Sequence, residues 1–333
     1  MDKTYKYTVC TRCFTYNHAP YILDALNGFV AQQTVFPVVY VIVDDASTDG
    51  EPQILRDYLK DNFNLGDTNV AFQRNAEYGS IVYAQHKENK NCYFAILFLS
   101  ENHYGQKKSK IPYIKQWEDS AKYFALCEGD DYWTDVFKLQ KQVDYMDQTP
   151  GCFLCVHRSN WDIEGNLKPL GCQYEDSCDI SLQDSIQNGG LFIATASFLY
   201  RPECDRDWPK WRVMANIGDF PLQVLCGLKG TVHFIAETMC VYRFLHKGSW
   251  SDRHRSLDIR YAENEIMWME ELDKSTNYNY TSEIYSFLLK YFRFLFLNKR
   301  ISFMRYLKNA RKTTDFSWKR VLKDFFKVFL LIN

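Results

Sequence analysis

The chain has 333 residues, more than one average domain but within reach of a single large α/β domain plus an appendage. At 46% hydrophobic and 24% charged residues it can build an ordinary core, which excludes a disordered chain, and no window approaches the roughly 18 uninterrupted apolar residues of a spanning helix. Net charge is only −1 but unevenly spread: residues 284–333 carry twelve Lys and Arg against Asp315 and Asp324, a net of +10, which leaves −11 on the remainder. That asymmetry points to an anionic surface as partner for the tail alone, and no nucleic-acid partner is expected.

The aromatic share, 17%, suits stacking surfaces for sugars and bases, or an interfacial membrane face. The opening Met1-Asp2-Lys3-Thr4-Tyr5-Lys6 lacks the apolar stretch of a signal peptide, so a cytoplasmic location with reduced thiols is expected. Among the eleven cysteines are two CxxC pairs, Cys10/Cys13 and Cys152/Cys155. Strand alternation sends Cys10 and Cys13 to opposite faces, so core filling is preferred over a zinc site.

In chain order, Tyr7 to Thr15 reads as a strand, and Pro20 opens a helix running to about Gln33. Pro37 to Asp44 is a continuous apolar run of the kind that parallel strands buried on both faces show. It ends in Asp44-Asp45-Ala46-Ser47-Thr48-Asp49-Gly50, all turn chemistry, before a helix over 52–62 and a short third strand, 69–72. Residues 85–117 predict a helix, an apolar stretch and an exposed loop around Lys107-Lys108-Ser109-Lys110. Tyr123 to Cys127 is a strand delivering Glu128-Gly129-Asp130-Asp131 at its carboxyl end. A helix over 136–148, a strand over 153–160, a loop or lid over 161–190 and a strand over 194–200 follow. Asp219 stands in the first turn of a helix to about Leu228, 231–237 and 239–244 read as strands, and everything from Ser256 is helical.

Alternating strands and helices imply a parallel sheet, and in such sheets ligands bind beyond the carboxyl ends of the strands. Both acidic turns, 44–49 and 128–131, fall at such ends. A nucleotide-sugar transferase must neutralise a diphosphate leaving group. The usual device is a divalent hard cation held by one or two carboxylates, with open positions left for the substrate. Glu128 and Asp130, two apart in an extended turn, can both face that cation, while Asp131 either orients a sugar hydroxyl or fixes the turn. Standing alone, the run reads more readily as an acidic surface turn, which is common.

It does not stand alone. Glu128-Gly-Asp-Asp-Tyr-Trp-Thr-Asp135 with Lys138-Leu-Gln-Lys-Gln-Val143 resembles the metal-binding signature of bacterial family-2 glycosyltransferases. Cys13-Phe-Thr-Tyr-Asn17 resembles the first strand and nucleotide turn of that family, and Val41-Ile-Val-Asp-Asp-Ala-Ser-Thr-Asp-Gly50 is the most specific match. The resemblance covers roughly residues 5 to 250. It implies a GT-A fold, that is, a Rossmann-like, mostly parallel sheet flanked by helices. Residues 1–131 would be the nucleotide-sugar half and 132–255 the acceptor half of one catalytic domain, with 256–333 a helical extension.

The resemblance also implies inversion at the anomeric carbon and a cofactor, Mn2+ or Mg2+. Thr15 and Tyr16 would contact the nucleobase, Tyr16 by stacking, and Asp45 with Asp44 would accept hydrogen bonds from uracil and ribose. Asp130 is the leading metal ligand; Glu128 stands where the family often has Asp, and its longer arm leaves direct coordination open. Arg74 is a weaker donor contact. Asp219, in Gly218-Asp-Phe-Pro-Leu222, matches the catalytic base in position, with helix capping as the alternative. Tyr242 to Ser251 resembles the closing segment, in which Arg243 would stabilise the leaving group. His246 would do the same or ligate the metal, a solvated loop histidine being the alternative. Trp133, Trp211 and Trp250 are either sugar platforms or core.

In the last helix Val321, Leu322, Phe325, Phe326, Phe329 and Leu330 recur at helical spacing with Lys319, Arg320, Lys323 and Lys327 interleaved, which describes an interfacial helix. The expected partners are therefore a UDP-sugar donor, a glycan or lipid-linked acceptor of surface polysaccharide synthesis, and the inner face of the plasma membrane. A helical subdomain docked on the body is the other reading of the tail. Two other functions share these features. A sugar nucleotidyltransferase would want a Gly-rich phosphate loop, which Thr15-Tyr16-Asn17-His18 lacks, and a non-catalytic donor-binding protein would keep the fold without needing Asp45, Asp130 and Asp219.

Overall fold

A computed structural model describes residues 4–246, 249–253 and 256–330, without the side chains of Trp250, Arg253, Phe329 and Leu330. The chain divides into two compact units: one of Met1–Asp179, Ile193–Glu203 and His233–His246, the other of Ile180–Phe192, Cys204–Val232 and Lys247–Asn333.

The first unit opens with β1 (Tyr7–Thr15), α1 (Ile22–Val30), β2 (Val38–Asp44) and α2 (Glu51–Asn62). Next come β3 (Ala71–Ala76), β4 (Gly79–Gln85), β5 (Cys92–Leu99), α3 (Ile111–Glu118), β6 (Ala121–Leu126), β7 (Tyr132–Trp133) and α4 (Lys138–Gln148). Then follow β8 (Cys152–Ile163), β9 (Asn166–Leu170) and β10 (Cys178–Ile180). The helix α5 (Leu182–Asn188) precedes β11 (Leu199–Tyr200), α6 (Lys210–Met214), α7 (Asp219–Lys229) and β12 (Thr231–Arg243). The chain ends in α8 (Trp250–Arg253), α9 (Ile259–Ser275), α10 (Thr281–Leu297), α11 (Phe303–Ala310) and α12 (Trp318–Leu330).

The architecture is the expected α/β one. Its sheet runs β10-β12-β8-β11-β6-β1-β2-β5-β4-β3, with β7 on β12 and β9 on β8. The four central strands, β6-β1-β2-β5, are parallel, while β4 and β3 close one side antiparallel and β11 pairs antiparallel between β6 and β8. Every residue of β2 is buried, as its unbroken apolar run requires. One face of the sheet packs Phe29 and Leu26 of α1 against Tyr40, Phe94 and Trp133.

Several boundaries differ from the sequence reading. The third strand begins at Ala71 rather than residue 69, and of the helix, apolar stretch and exposed loop expected over 85–117 the helix comes last. The apolar stretch is β5, an eight-residue strand buried on both faces, followed by a loop over 100–110 and α3. Length decides: eight apolar residues make a strand across the sheet but little more than two helical turns. The expected lid over 161–190 contains the β8–β9 hairpin, whose turn residues Glu164 and Gly165 both have positive φ, as a two-residue hairpin turn demands. Of the strand expected over 194–200 only Leu199–Tyr200 pairs, and the two strands expected over 231–244 are one.

The second unit is helical. Its core joins Trp211, Phe220, Trp268, Leu288 and Phe292 to Tyr306, Ala310, Val321 and Val328 of the last helices. Of the apolar positions expected on the membrane face, Val321 is buried and Phe325 packs on that core, while Leu322 and Phe326 are exposed; Phe329 and Leu330 lie outside the described side chains. Among the described residues no helix is long and apolar enough to cross a membrane.

Candidate active site

The parallel register places both acidic turns beside the end of β1. Thr15 pairs with Asp44, the Asp45 N–H donates to the Thr15 carbonyl at 3.0 Å, and on the other side Cys127 and Gly129 N–H groups donate to Arg12 and Phe14 carbonyls. Gly129 passes so close that a Cβ there would stand 2.2 Å from Thr15 Oγ1, so only glycine fits. Buried Thr15 thereby touches both halves of the site: its hydroxyl donates to Glu51 and lies 3.2 Å from His18 Nδ1. Tyr16 is exposed, its ring open to a planar ligand.

Asp130 is the focus of the acidic run. Its Oδ2 lies 2.8 Å from His246 Nε2 and 3.7 Å from His18 Nε2, with the Tyr21 ring tilted against His246 at 4.7 Å between centroids. Burial pushes the Asp130 carboxyl up, but the hydrogen bond to His246 and the charges of both histidines outweigh it and hold the group below the ordinary range. Asp131 is buried and turned inward, accepting from the Arg243 backbone N–H at 2.9 Å; burial and the neighbouring Asp130 push its carboxyl well up. Asp131 therefore fixes the turn. The Glu128 side chain is exposed and its carbonyl accepts from the Asp131 N–H.

A hard divalent cation that serves phosphate chemistry often takes one or two protein carboxylates and completes its shell with phosphate oxygens and water. Among the described residues no group of three His, Cys, Asp or Glu side chains has metal-holding geometry. Asp130 with His246, and His18 just beyond, is an oxygen-and-imidazole set whose chemistry fits a divalent cation with positions left open. His246 Nδ1 is buried with no hydrogen-bond partner among the described residues, so this ring's polar contact is all directed at Asp130.

Arg243 is drawn inward as well. Its Nη1 donates to the Asp130 carbonyl at 2.7 Å and Nη2 to Asp24, while the guanidinium lies over Tyr21 and Tyr132. It clamps the backbone of the acidic turn.

On the nucleotide side, Asp44 is buried and accepts from the Ser47 N–H; burial raises its carboxyl. Asp45 is buried too, and both its oxygens are taken: by the His103 N–H at 2.7 Å, the Tyr104 N–H at 2.9 Å and Lys110 Nζ at 2.9 Å. Asp45 thus anchors the loop that follows β5. His103 Nε2 meets Tyr113 Oη at 3.2 Å and Tyr113 stacks on Tyr78 at 3.9 Å. Exposed Arg74 donates to Gln116 of the same α3. Arg74 and Asp45 therefore belong to one connected wall.

The remaining expected residues divide. Trp133 is core, its Nε1 donating to the Ala196 carbonyl; Trp211 is buried in the second unit, and the side chain of Trp250 lies outside the described residues. Asp219 belongs to the second unit, half-buried at the first residue of α7 with Oδ1 accepting from the Phe220 N–H at 2.8 Å. Sequence reasoning missed Glu51, a fully buried carboxylate that accepts from Thr15, the His18 N–H and Ser47 Oγ and so shapes the turn after β1. It missed His18, His103 and Lys110 as well. Only His18 had a local signal, its place directly after the nucleotide turn.

Residues 14–244 match the sequence profile described as glycosyl transferase family 2. The uncharacterized protein Rv1520 of Mycobacterium tuberculosis (strain ATCC 25618 / H37Rv) is 32% identical over 260 residues, which cover 74% of this chain and 62% of that protein. The uncharacterized protein Mb1547 of Mycobacterium bovis matches to the same extent. The chain thus spans about 62% of the length of the curated relatives it matches. Crystal structures of S. aureus TarS 1-349, one of them in complex with UDP-GlcNAc, share the fold: TM-score 0.58 at 16% identity, covering 92% of this chain and 79% of TarS 1-349.

Proposed function

Because the chain belongs to glycosyl transferase family 2, we propose that it moves a sugar from a nucleotide diphosphate, a UDP-sugar, to a hydroxyl of a glycan or lipid-linked acceptor in bacterial surface polysaccharide synthesis. The observation carrying this reading is Asp130, held at the end of a parallel strand between His246 and His18 and separated from the Asp44–Asp45 turn by β1 alone. TarS, of like fold, was crystallised with UDP-GlcNAc, which supports a UDP-sugar as the donor class.

Thr15, Tyr16 and Asp44 line the nucleotide side, and Asp45 acts through the loop it anchors, with Arg74 at the outer end of that wall. Asp130 and His246, with Glu128 as the further candidate of the acidic run, would hold Mn2+ or Mg2+, which would supply the positive charge that makes the diphosphate a good leaving group. Asp131 and Arg243 keep the Asp130 backbone in place for it. In an inverting step the acceptor oxygen attacks the anomeric carbon opposite the diphosphate. The Asp219 carboxylate takes the hydroxyl proton, the new glycosidic bond forms, and the anomeric C–O bond to phosphate breaks, releasing UDP.

The test is donor turnover by the full chain on a panel of UDP-sugars with Mn2+ or Mg2+. Asp130→Ala should lose turnover by at least about 100-fold with unchanged circular dichroism and thermal unfolding. Wild-type turnover in that variant would overturn the assignment of the metal site.

A further inference from the structure

Helices α10 and α12 of the second unit are pinned together by a buried carboxylate. Asp324, 1% exposed, accepts from Arg293 Nε at 2.8 Å and from Tyr306 Oη at 2.9 Å, so its charge is spent inside. Beside it lies a groove of about 500 Å³ lined by Lys290 and Arg293 of α10 and by Arg320 and Lys323 of α12. With Arg293 paired to Asp324, Lys290, Arg320 and Lys323 leave this hollow positive. Guanidinium and ammonium groups converging on one hollow are the means by which proteins hold phosphate.

The outer face of α12 adds an independent observation. Trp318, Leu322 and Phe326, four apart, form one stripe, and they are 48%, 44% and 57% exposed. Lys319, Lys323 and Lys327 form the adjoining exposed stripe, while Val321, Asp324 and Val328 turn inward. A basic groove alone would take any phosphate, and an exposed apolar stripe alone any partner. Their coincidence on one helix matches a surface that presents phosphate and hydrocarbon together.

We infer that the α10–α12 groove binds the headgroup phosphate of an anionic phospholipid, with Trp318, Leu322 and Phe326 entering the acyl boundary beside it. The inference rests on the reading of the acceptor as membrane-borne and deepens it by naming the lipid contact. Lys323 belongs to both features, reaching the groove from the basic stripe. Lys319 and Lys327 lie outside the groove and serve as the internal control.

The experiment is flotation of the full chain with vesicles of equimolar phosphatidylcholine and phosphatidylglycerol, against phosphatidylcholine alone. Arg320→Gln with Lys323→Gln should weaken partitioning onto the anionic vesicles by roughly 30-fold. Lys319→Gln with Lys327→Gln should weaken it far less, and Arg320→Lys with Lys323→Arg should preserve it. Glycerol 3-phosphate at constant ionic strength should displace the wild type. Equal losses in the two Gln pairs, with no displacement, would mean diffuse attraction and overturn the groove. Glycerol 3-phosphate binding without vesicle partitioning would make the ligand a soluble phosphate and overturn the lipid assignment. Asp130→Ala should float like the wild type, so that failure of the donor chemistry and failure of this surface are read separately.

Discussion

Gly129 shows how tightly the site is drawn at the scale of single residues. The acidic run is often read for its carboxylates, yet the glycine between them sets their position, because Thr15 and His18 leave no room for a Cβ. Gly129→Ala should cost about 1–3 kcal/mol in urea unfolding and weaken UDP binding at the same time, since the displaced Thr15 is on the nucleotide side. Unaltered stability and binding would mean the turn can shift freely. By sequence alone Asp130 ranks first among the three acids, and the roles of Asp131 and Glu128 stay open. The structure separates them by neighbours: a histidine pair for Asp130, a backbone amide for Asp131, an exposed position for Glu128.

At the scale of elements, β8 buries a histidine that its apolar run does not require. His157 donates from Nδ1 to the Arg158 carbonyl at 2.9 Å, while Nε2 is buried without a partner among the described residues. Burial, with the Lys138 charge nearby, pushes its pKa well below the ordinary value. The unfolded chain therefore binds a proton that the folded one refuses, so stability is present above about pH 6.5 and is lost as pH falls through it. His157→Gln should flatten this slope in thermal unfolding followed from neutral to about pH 5; an unchanged slope would assign the acid sensitivity elsewhere. Elements were legible where their pattern was pure. β1, β2 and β6 stood out as unbroken or alternating apolar runs ending in turn residues. β4 and the β8–β9 hairpin did not, because polar residues interrupt their pattern, and β5 showed only as an apolar stretch in an irregular region; pairing with distant strands, not local periodicity, makes them strands.

At the scale of the whole molecule, the residues proposed for metal binding and for the base belong to different units. Asp130 and the nucleotide side belong to the first, and Asp219 to the second. Asp219→Asn should therefore keep UDP affinity within about twofold while transfer to the acceptor falls by 100-fold or more, as loss of a general base predicts. Transfer at the wild-type rate would return Asp219 to the role of a helix-start residue holding the Phe220 amide. The C-terminal helices share in a core: Tyr306, Ala310, Val321 and Val328 pack with Trp268 and Phe292, while the apolar stripe of Trp318, Leu322 and Phe326 stays exposed.

The sequence by itself determined the α/β class, the parallel central strands and the two acidic turns at their carboxyl ends, because apolar runs and turn residues are local and additive. Only the tertiary structure decided what each acid meets. His246 reaches Asp130 across 116 residues, the loop over 102–110 occupies Asp45, Arg243 clamps the turn rather than facing outward, and Asp131 is turned away from solvent. Such partners are set by the register of distant strands and by burial, neither of which leaves a periodic mark in the chain.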